Sequence, residues 1–328
     1  MFIHFLDADL AEADRANRRL REVAERAGYA YAWAWADFMQ GLIHLQRGEW
    51  DAATEYLGRS VAQRFIHFKR AAMDSIAGLM LAHQAAGRED EARSTYEVLR
   101  DYVGSLDDPT LWPLASSAES RLSIMQGRPQ PGKGRPDSIT LPPDGAMLWW
   151  LDVPSVTHCR ALIAEGSRDG LAEAEAQLLG LVEMSEAHHN TLQLISILTL
   201  LAMVFEKQAR TDEALTVLER ALTLAHPGGL VFPFLELGTP MTALLEKLPR
   251  DTAIGPFIEQ ILAAAAPVGS AAGNGPRWVG RPPADLLTDR EAEILELLAR
   301  RLQYKQIATR LFISPQTVNS HLKNVYQK

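Results

Sequence analysis

The chain has 328 residues, with 33 Lys and Arg against 41 Asp and Glu for a net charge of −8. Its length suggests about two domains, and 47% hydrophobic with 23% charged residues is the balance of a folded globular protein, not of a disordered chain. The single Cys159 excludes an internal disulfide framework and a multi-cysteine zinc site, and the acidic total by itself disfavours a phosphate-rich partner.

The N-terminus, MFIHFLDADL, has no basic region and no long apolar run, so it does not read as a signal peptide. Tyr29, Tyr31, Trp33, Trp35 and Phe38 form an aromatic cluster. Packing between the first repeats is the favoured reading, and a groove for an effector or peptide is the sharper one. A unit of turn followed by an acidic, Ala-rich helix then recurs, starting at Gly48, Gly87, Asp169 and Ala209. Gly48 to Gly87 spans 39 residues, Gly170 to Arg210 spans 40, and Gly127 falls midway through the 83 between Gly87 and Gly170. Within 212–225, Ala214, Leu215, Leu218, Ala221, Leu222 and Ala225 make one apolar stripe at helical spacing. A helix with one such stripe cannot bury it alone, so the repeats should stack as an α-solenoid. Ala53, Ala92, Ala174 and Ala214 sit where neighbouring helices should approach closely.

The stretch 127–143 is rich in Pro and Gly and reads as an irregular loop (127–146) or joint. It contains GRPQPGK, the spacing of a phosphate loop. Gly134 stands where Ser or Thr is needed, two prolines lie inside and no strand precedes, so we read it as a linker. Trp149 and Trp150 admit the same two readings as the aromatic cluster. The uncharged run 187–205 carries His188, His189, Asn190, Gln193 and Ser196. Its apolar part is shorter than the roughly 20 residues of a spanning helix, and it reads as a helix buried in the stack. Without a leader or a membrane span, a cytoplasmic protein is expected. No strand pattern persists, with 231–235 the nearest approach. Residues 264–285 are a linker by composition.

The segment 287–328 completes the chain. Thr288 and Glu291 form a capping box, and Ile294, Leu295, Leu297 and Leu298 follow on a first helix to about Arg301. A second short helix spans about 304–311, with Ile307, Ala308 and Leu311 facing inward. Ser314 caps a third, with Pro315 in its first turn and Val318, Leu322 and Val325 inward. Its other face carries Gln316, Thr317, Asn319, Ser320, Lys323 and Asn324. Two short helices with a tight turn, the second polar on its exposed face, are the helix-turn-helix plan, and such a helix fits the DNA major groove. Charge agrees: the segment holds seven basic and four acidic residues, +3, leaving 26 basic against 37 acidic, −11, for the rest.

The words LTDREAEILELLA, KQIATRLFIS and TVNSHLKNVYQK resemble the LuxR-type (GerE-type) helix-turn-helix domain of bacterial transcriptional regulators. Residues 209–248 resemble the end of the helical-repeat domain of MalT-like, ATP-binding LuxR regulators. The resemblance implies an all-α protein: TPR-like repeats over 1–263, a linker over 264–285 and a DNA-binding domain over 286–328. It implies base reading by Asn319, Ser320 and Lys323 and backbone contacts from Thr317 and Lys305, with Gln316 and Asn324 on the same face. The family usually has Lys where Asn319 stands and Gly where Arg301 ends the first helix. It continues through a fourth helix that often supports dimerisation, and its MalT-like members carry an ATPase module before the repeats. Neither that helix nor that module is expected within these 328 residues.

The expected partners are double-stranded DNA, an effector small molecule or protein on the solenoid, a second copy, and RNA polymerase, with no membrane. The rival reading is an interaction scaffold with an incomplete DNA-binding end. His158/Cys159 and His188/His189 are neighbours on a helix and point about 100° apart, a poor metal site, and Glu173/Glu175 read as a solvated face. No cofactor, metal or enzymatic activity is expected.

Overall fold

A computed structural model describes residues 1–129, 150–265, 297, 304–311, 313, 317 and 318. The chain divides into two compact units, Met1–Pro267 and Val268–Lys328, taken separately here. The first is helical throughout its described residues, with no strand among them. Its helices are α1 (Phe2–Leu6), α2 (Leu10–Ala27), α3 (Ala30–Gln46), α4 (Trp50–Ala62), α5 (Lys69–Ala85), α6 (Glu89–Ser105), α7 (Trp112–Met125), α8 (Pro154–Glu165), α9 (Arg168–Ala187), α10 (Thr191–Lys207), α11 (Thr211–Ala225), α12 (Phe232–Leu235), α13 (Gly238–Glu246) and α14 (Gly255–Ala265). Residues 231–235, the nearest approach to a strand pattern, enter the short α12.

The repeat is marked by its turns. Gly48, Gly87, Gly127 and Gly166 all have φ between 67° and 74°, a region that costs an L side chain energy and glycine none. They recur at 39, 40 and 39 residues, a more regular period than the sequence suggested. The turn that opens the unit read from Asp169 is Gly166, not Gly170. Gly170 lies in the first turn of α9, where its amide donates to the Ser167 cap. The outer helices α4, α6, α9 and α11 bury one stripe each, and Ala53, Ala92, Ala174 and Ala214 are all fully buried, as the close-approach argument requires. The irregular loop falls largely on 130–149, and the linker on 266–285, outside the described residues.

The inner helices behave differently. α10, the uncharged run, is buried on nearly every face from Leu192 to Phe205, and no described helix is long and apolar enough to cross a membrane. Its burial follows from closure of the superhelix on itself. α1 and α12 both touch α10, and α12 touches α3. The Val231 amide donates to the Gln46 carbonyl at 2.9 Å, and Trp50 meets Phe232 edge-on at 6.0 Å. A Cβ on Gly48 would stand 2.8 Å from Val231 Cγ2, so that turn is also a contact point.

The aromatic cluster divides. Trp35 packs edge-on against His67 at 4.8 Å and against Phe2 at 5.3 Å, and Phe38 is fully buried. Trp33 receives the Arg21 guanidinium at 4.7 Å, while Tyr29 and Tyr31 stay exposed. Packing therefore accounts for the inner members only.

Burial pushes the pKa of His67 and of His83 down to about 4, so both are neutral in the fold but protonate near 6.5 when unfolded. The stability they contribute is present above pH 6.5 and is lost as pH falls toward 4. Burial pushes Asp74 up to about 6, and this group acts in the opposite sense, favouring the fold at low pH. Asp37, also raised by burial, acts with Asp74, but between pH 7 and 5 two histidines protonate in the unfolded chain and not in the fold, and their sum sets the direction. Urea unfolding should give a lower midpoint at pH 5 than at pH 7, and His67→Phe should flatten the difference; a flat wild-type profile would contradict the assignment.

Candidate DNA-binding unit and the buried centre of the repeats

In the second unit the described residues form one small core. Leu297, Ile307, Ala308, Leu311 and Val318 are buried together, with Ile313 packed against them. Ile307, Ala308 and Leu311 share one face of α15 (Tyr304–Arg310) and its end, because residues one and four apart on a helix lie close in angle. The Leu311 amide donates to the Ile307 carbonyl at 2.9 Å and that of Ile313 to the Ala308 carbonyl at 3.0 Å, which closes the helix before the next helical residues, Thr317 and Val318. Of the residues assigned inward from the sequence, Leu297, Ile307, Ala308, Leu311 and Val318 are buried, while Ile294, Leu295, Leu298, Leu322 and Val325 lie outside the described residues. Gln306 and Arg310 are exposed on α15 and Thr317 is half-buried beside Val318. Of the candidate DNA contacts, Lys305 lies on α15 and Thr317 on the next helical stretch. Gln316, Asn319, Ser320, Lys323 and Asn324 lie outside the described residues.

The closed centre of the repeat unit holds a charged network that pattern reasoning on the sequence did not find. The chain re-enters at Trp150–Val153 as a short strap whose backbone is paired by buried side chains. Gln193 of α10 donates to the Trp150 carbonyl at 2.9 Å, and the Leu151 amide donates to Asp74 of α5 at 2.7 Å. Arg121 of α7 donates to the Leu151 carbonyl at 2.9 Å, and Arg70 of α5 to that of Asp152. Beside it, Glu236, just past α12, accepts from Arg121 Nε at 2.9 Å and Nη2 at 2.7 Å, and from Arg160 Nη2 of α8 at 2.7 Å. Burial works against the Glu236 carboxylate, but the two guanidinium groups outweigh it and hold its pKa below the usual range. Two arginines on one carboxylate, in a nearly dry centre, clamp the C-terminal helices to the middle repeats. A cavity of about 20 Å³ lies against this network, lined by Gln46, Trp150, Gln193 and Ser196 as well, with room for about one water. No local pattern marks the clamp: Arg121 and Arg160 lie on mixed helices that carry other polar residues, and Glu236 follows the end of α12.

The remaining candidates are structural. Trp150 is buried and belongs to the strap. His158 reaches Glu173 across α8–α9 at 3.2 Å, and the Cys159 thiol, its pKa raised to about 12 by burial, lies 3.5 Å from Gln177. His188 and His189 are exposed. Glu173 and Glu175 are not simply solvated: both are half-buried, and Glu175 pairs with Arg210 at 2.7 Å. They tie α9 to α8 and to the start of α11.

Paired helices at a period of 39–40 residues define a helical-repeat architecture for the first unit. Residues 3–251 match the model of the MalT-like TPR region, and residues 285–328 match that of bacterial regulatory proteins of the luxR family. The chain therefore belongs to the MalT-like TPR family and carries a LuxR-type segment at its C-terminal side. Among curated proteins it is 27% identical over 173 residues to the HTH-type transcriptional regulator MalT of Vibrio campbellii, covering 44% of this chain and 18% of that protein. It is 51% identical over 43 residues to the spore germination protein GerE of Bacillus subtilis, covering 13% of this chain and 58% of that protein. It is 50% identical over 46 residues to a nitrate/nitrite response regulator homolog of Haemophilus influenzae, covering 14% of this chain and 22% of that protein. The chain thus spans about a fifth of the length of two of these relatives and somewhat over half of the third.

Proposed function

We propose that this protein is a cytoplasmic transcriptional regulator, not an enzyme, in which the helical repeats receive an effector and the C-terminal unit reads the major groove of duplex DNA. The observation that carries this reading is the join, in one chain, of a MalT-like repeat region to a luxR-family segment whose inward residues form a core as a helix-turn-helix requires. Counted at about 100° per residue from buried Val318, Asn319, Ser320, Lys323, Gln316 and Asn324 all fall about 100° or more from the inward direction. That supports a reading in which they lie on the face offered to DNA, with Asn319, Ser320 and Lys323 reading bases and Thr317 and Lys305 on the phosphate backbone. RNA polymerase and a second copy are the further partners of such a regulator. The boundaries we assign are 1–263 for the repeats, 264–285 for the linker and 286–328 for the DNA-binding domain.

Footprinting of genomic fragments with the complete gene product tests the reading. A protected site is expected, and its absence even at low salt would count for a scaffold instead. On that site, Lys323→Ala or Ser320→Ala should cost about 1–3 kcal/mol, five- to 150-fold in affinity, and relax preference at one base pair. Lys305→Ala should weaken binding to all sequences alike and reduce the slope of log affinity against log salt by about one. The reverse assignment of these two behaviours would overturn the residue roles.

A further inference from the structure

The α4–α5 turn has no role in the reading above, yet it exposes apolar surface that folding has left uncovered. Phe65, Ile66 and Phe68, with Tyr29 at the start of α3, are each between 48% and 58% exposed, and Tyr31 lies among the exposed group at 38%. They are linked through rings: Tyr29 to Tyr31 at 6.1 Å, and Tyr31 to the buried His67, which sits between Ile66 and Phe68, at 6.2 Å. Phe65 leans on Tyr102 at 5.7 Å and Phe68 stacks on Trp150 at 6.0 Å, so their positions are set by what lies beneath. A contiguous, pre-positioned apolar patch on a soluble protein marks an interaction surface.

Charge selects the occupant. No acidic residue stands between Glu55 and Asp74, while Arg59, Arg64, Lys69 and Arg70 do. Arg59 and Arg70 pair with carboxylates of their own helices, and Lys69 reaches Asp108 at 3.5 Å. Arg64 is different. Its guanidinium is half-buried over the Phe65 ring at 4.6 Å and donates to the Val61 carbonyl at 3.1 Å, and among the described residues no carboxylate pairs with it. A partly desolvated arginine beside exposed aromatics is the composition of a binding hot spot, and the missing component is an anion with apolar neighbours. A large polyanion such as a duplex or an anionic membrane would also meet the rest of the chain, at −11 before residue 287, and be repelled. A two-fold pairing of copies through this patch would bring Arg64 against Arg64 or its neighbours.

We propose that the α4–α5 turn, with Tyr29 and Tyr31, is a docking site for a short acidic peptide segment of a partner protein, its aromatic or leucine side chains on Phe65, Ile66 and Phe68 and a carboxylate on Arg64. The test is selection of 12-residue peptides from a random phage-displayed library on the full chain, followed by fluorescence anisotropy with the synthesised peptides. Enriched peptides should combine Asp or Glu with Phe, Leu or Trp. Arg64→Glu and the pair Phe65→Ser, Phe68→Ser should each weaken them at least tenfold with an unchanged circular dichroism spectrum. Arg64→Gln, which removes the charge and keeps much of the length and a hydrogen-bonding end, gives a second variant that should weaken the peptides in the same direction. Exchanging the acids of the peptide for lysines should restore binding to Arg64→Glu. The proposal is overturned if no peptide is enriched, if basic or neutral peptides are, or if the variants bind equally well. It is also overturned if the same substitutions abolish binding to phosphatidylglycerol vesicles, binding to a single-stranded oligonucleotide or self-association in sedimentation while leaving peptide binding intact.

Discussion

Glu236→Ala is expected to destabilise the repeat unit by about 3–5 kcal/mol, the cost of removing one partner from a buried ion pair. The reason is geometric. Arg121 and Arg160 come from two different helices and converge on one carboxylate, and all three side chains are at most 6% exposed. Without Glu236 the two guanidinium groups share only the more distant Asp152 carboxylate, 4.0 Å from Arg121, in a centre that water barely enters. Against a typical folding stability of about 5–15 kcal/mol, that loss is large, and it falls on the contact that closes the superhelix. Glu236→Gln keeps the volume and one acceptor oxygen and should cost less. Arg121→Ala combined with Glu236→Ala should cost less than the sum of the two alone, because the second substitution removes a charge that has already lost its two nearest hydrogen bonds and keeps only the Asp152 carboxylate at 4.0 Å. Urea unfolding followed by tryptophan fluorescence reads these effects, and an unchanged midpoint for Glu236→Ala would sink the clamp.

The second large effect is expected at the other end of the chain. Ile307 is fully buried in a core that, among the described residues, also contains Leu297, Ala308, Leu311 and Val318. Ile→Ala in a core costs about 2–5 kcal/mol, and a unit of this size rarely has more than about 3–5 kcal/mol to lose. Ile307→Ala should therefore unfold the C-terminal unit and abolish DNA binding at every salt concentration. The transition of the repeat unit should stay where it is, since its core shares no residue with this one. Calorimetry beside a gel shift separates the two. Retained DNA binding by Ile307→Ala would show that this core does not support the reading helix.

The described part of the second core was readable because the apolar positions of short amphipathic segments have little else to pack against, and Leu297, Ile307, Ala308, Leu311 and Val318 do meet. The outer helices of the repeats were readable for the same reason, from Ala53, Ala92, Ala174 and Ala214. The turn at Gly166 was misplaced by four residues because Asp169–Gly170 carries its own turn signal, and the competing Ser167 cap decides only once α9 is formed. The aromatic cluster was read as one object, but the ring of His67, which no local pattern ties to it, divides it into packed and exposed members. The acidic pair Glu173/Glu175 looks like any solvated face until α11 brings Arg210 alongside.

The net charge, the repeat period and the inward stripes are properties of neighbours along the chain, and periodicity in the residues is enough to carry them: an acidic stack of helix pairs, then a basic end with the helix-turn-helix plan. The centre of the ring is not local in this sense. Glu236 meets Arg121 across 115 positions and Asp74 meets Leu151 across 77. Whether a buried charge is a liability or a clamp depends on what closure of the superhelix sets opposite it. Closure is fixed by the summed small rotations of successive repeats, a quantity no single segment encodes. The same holds for the patch around Phe65 and Arg64, whose exposure depends on which helices the tertiary fold leaves beside the α4–α5 turn.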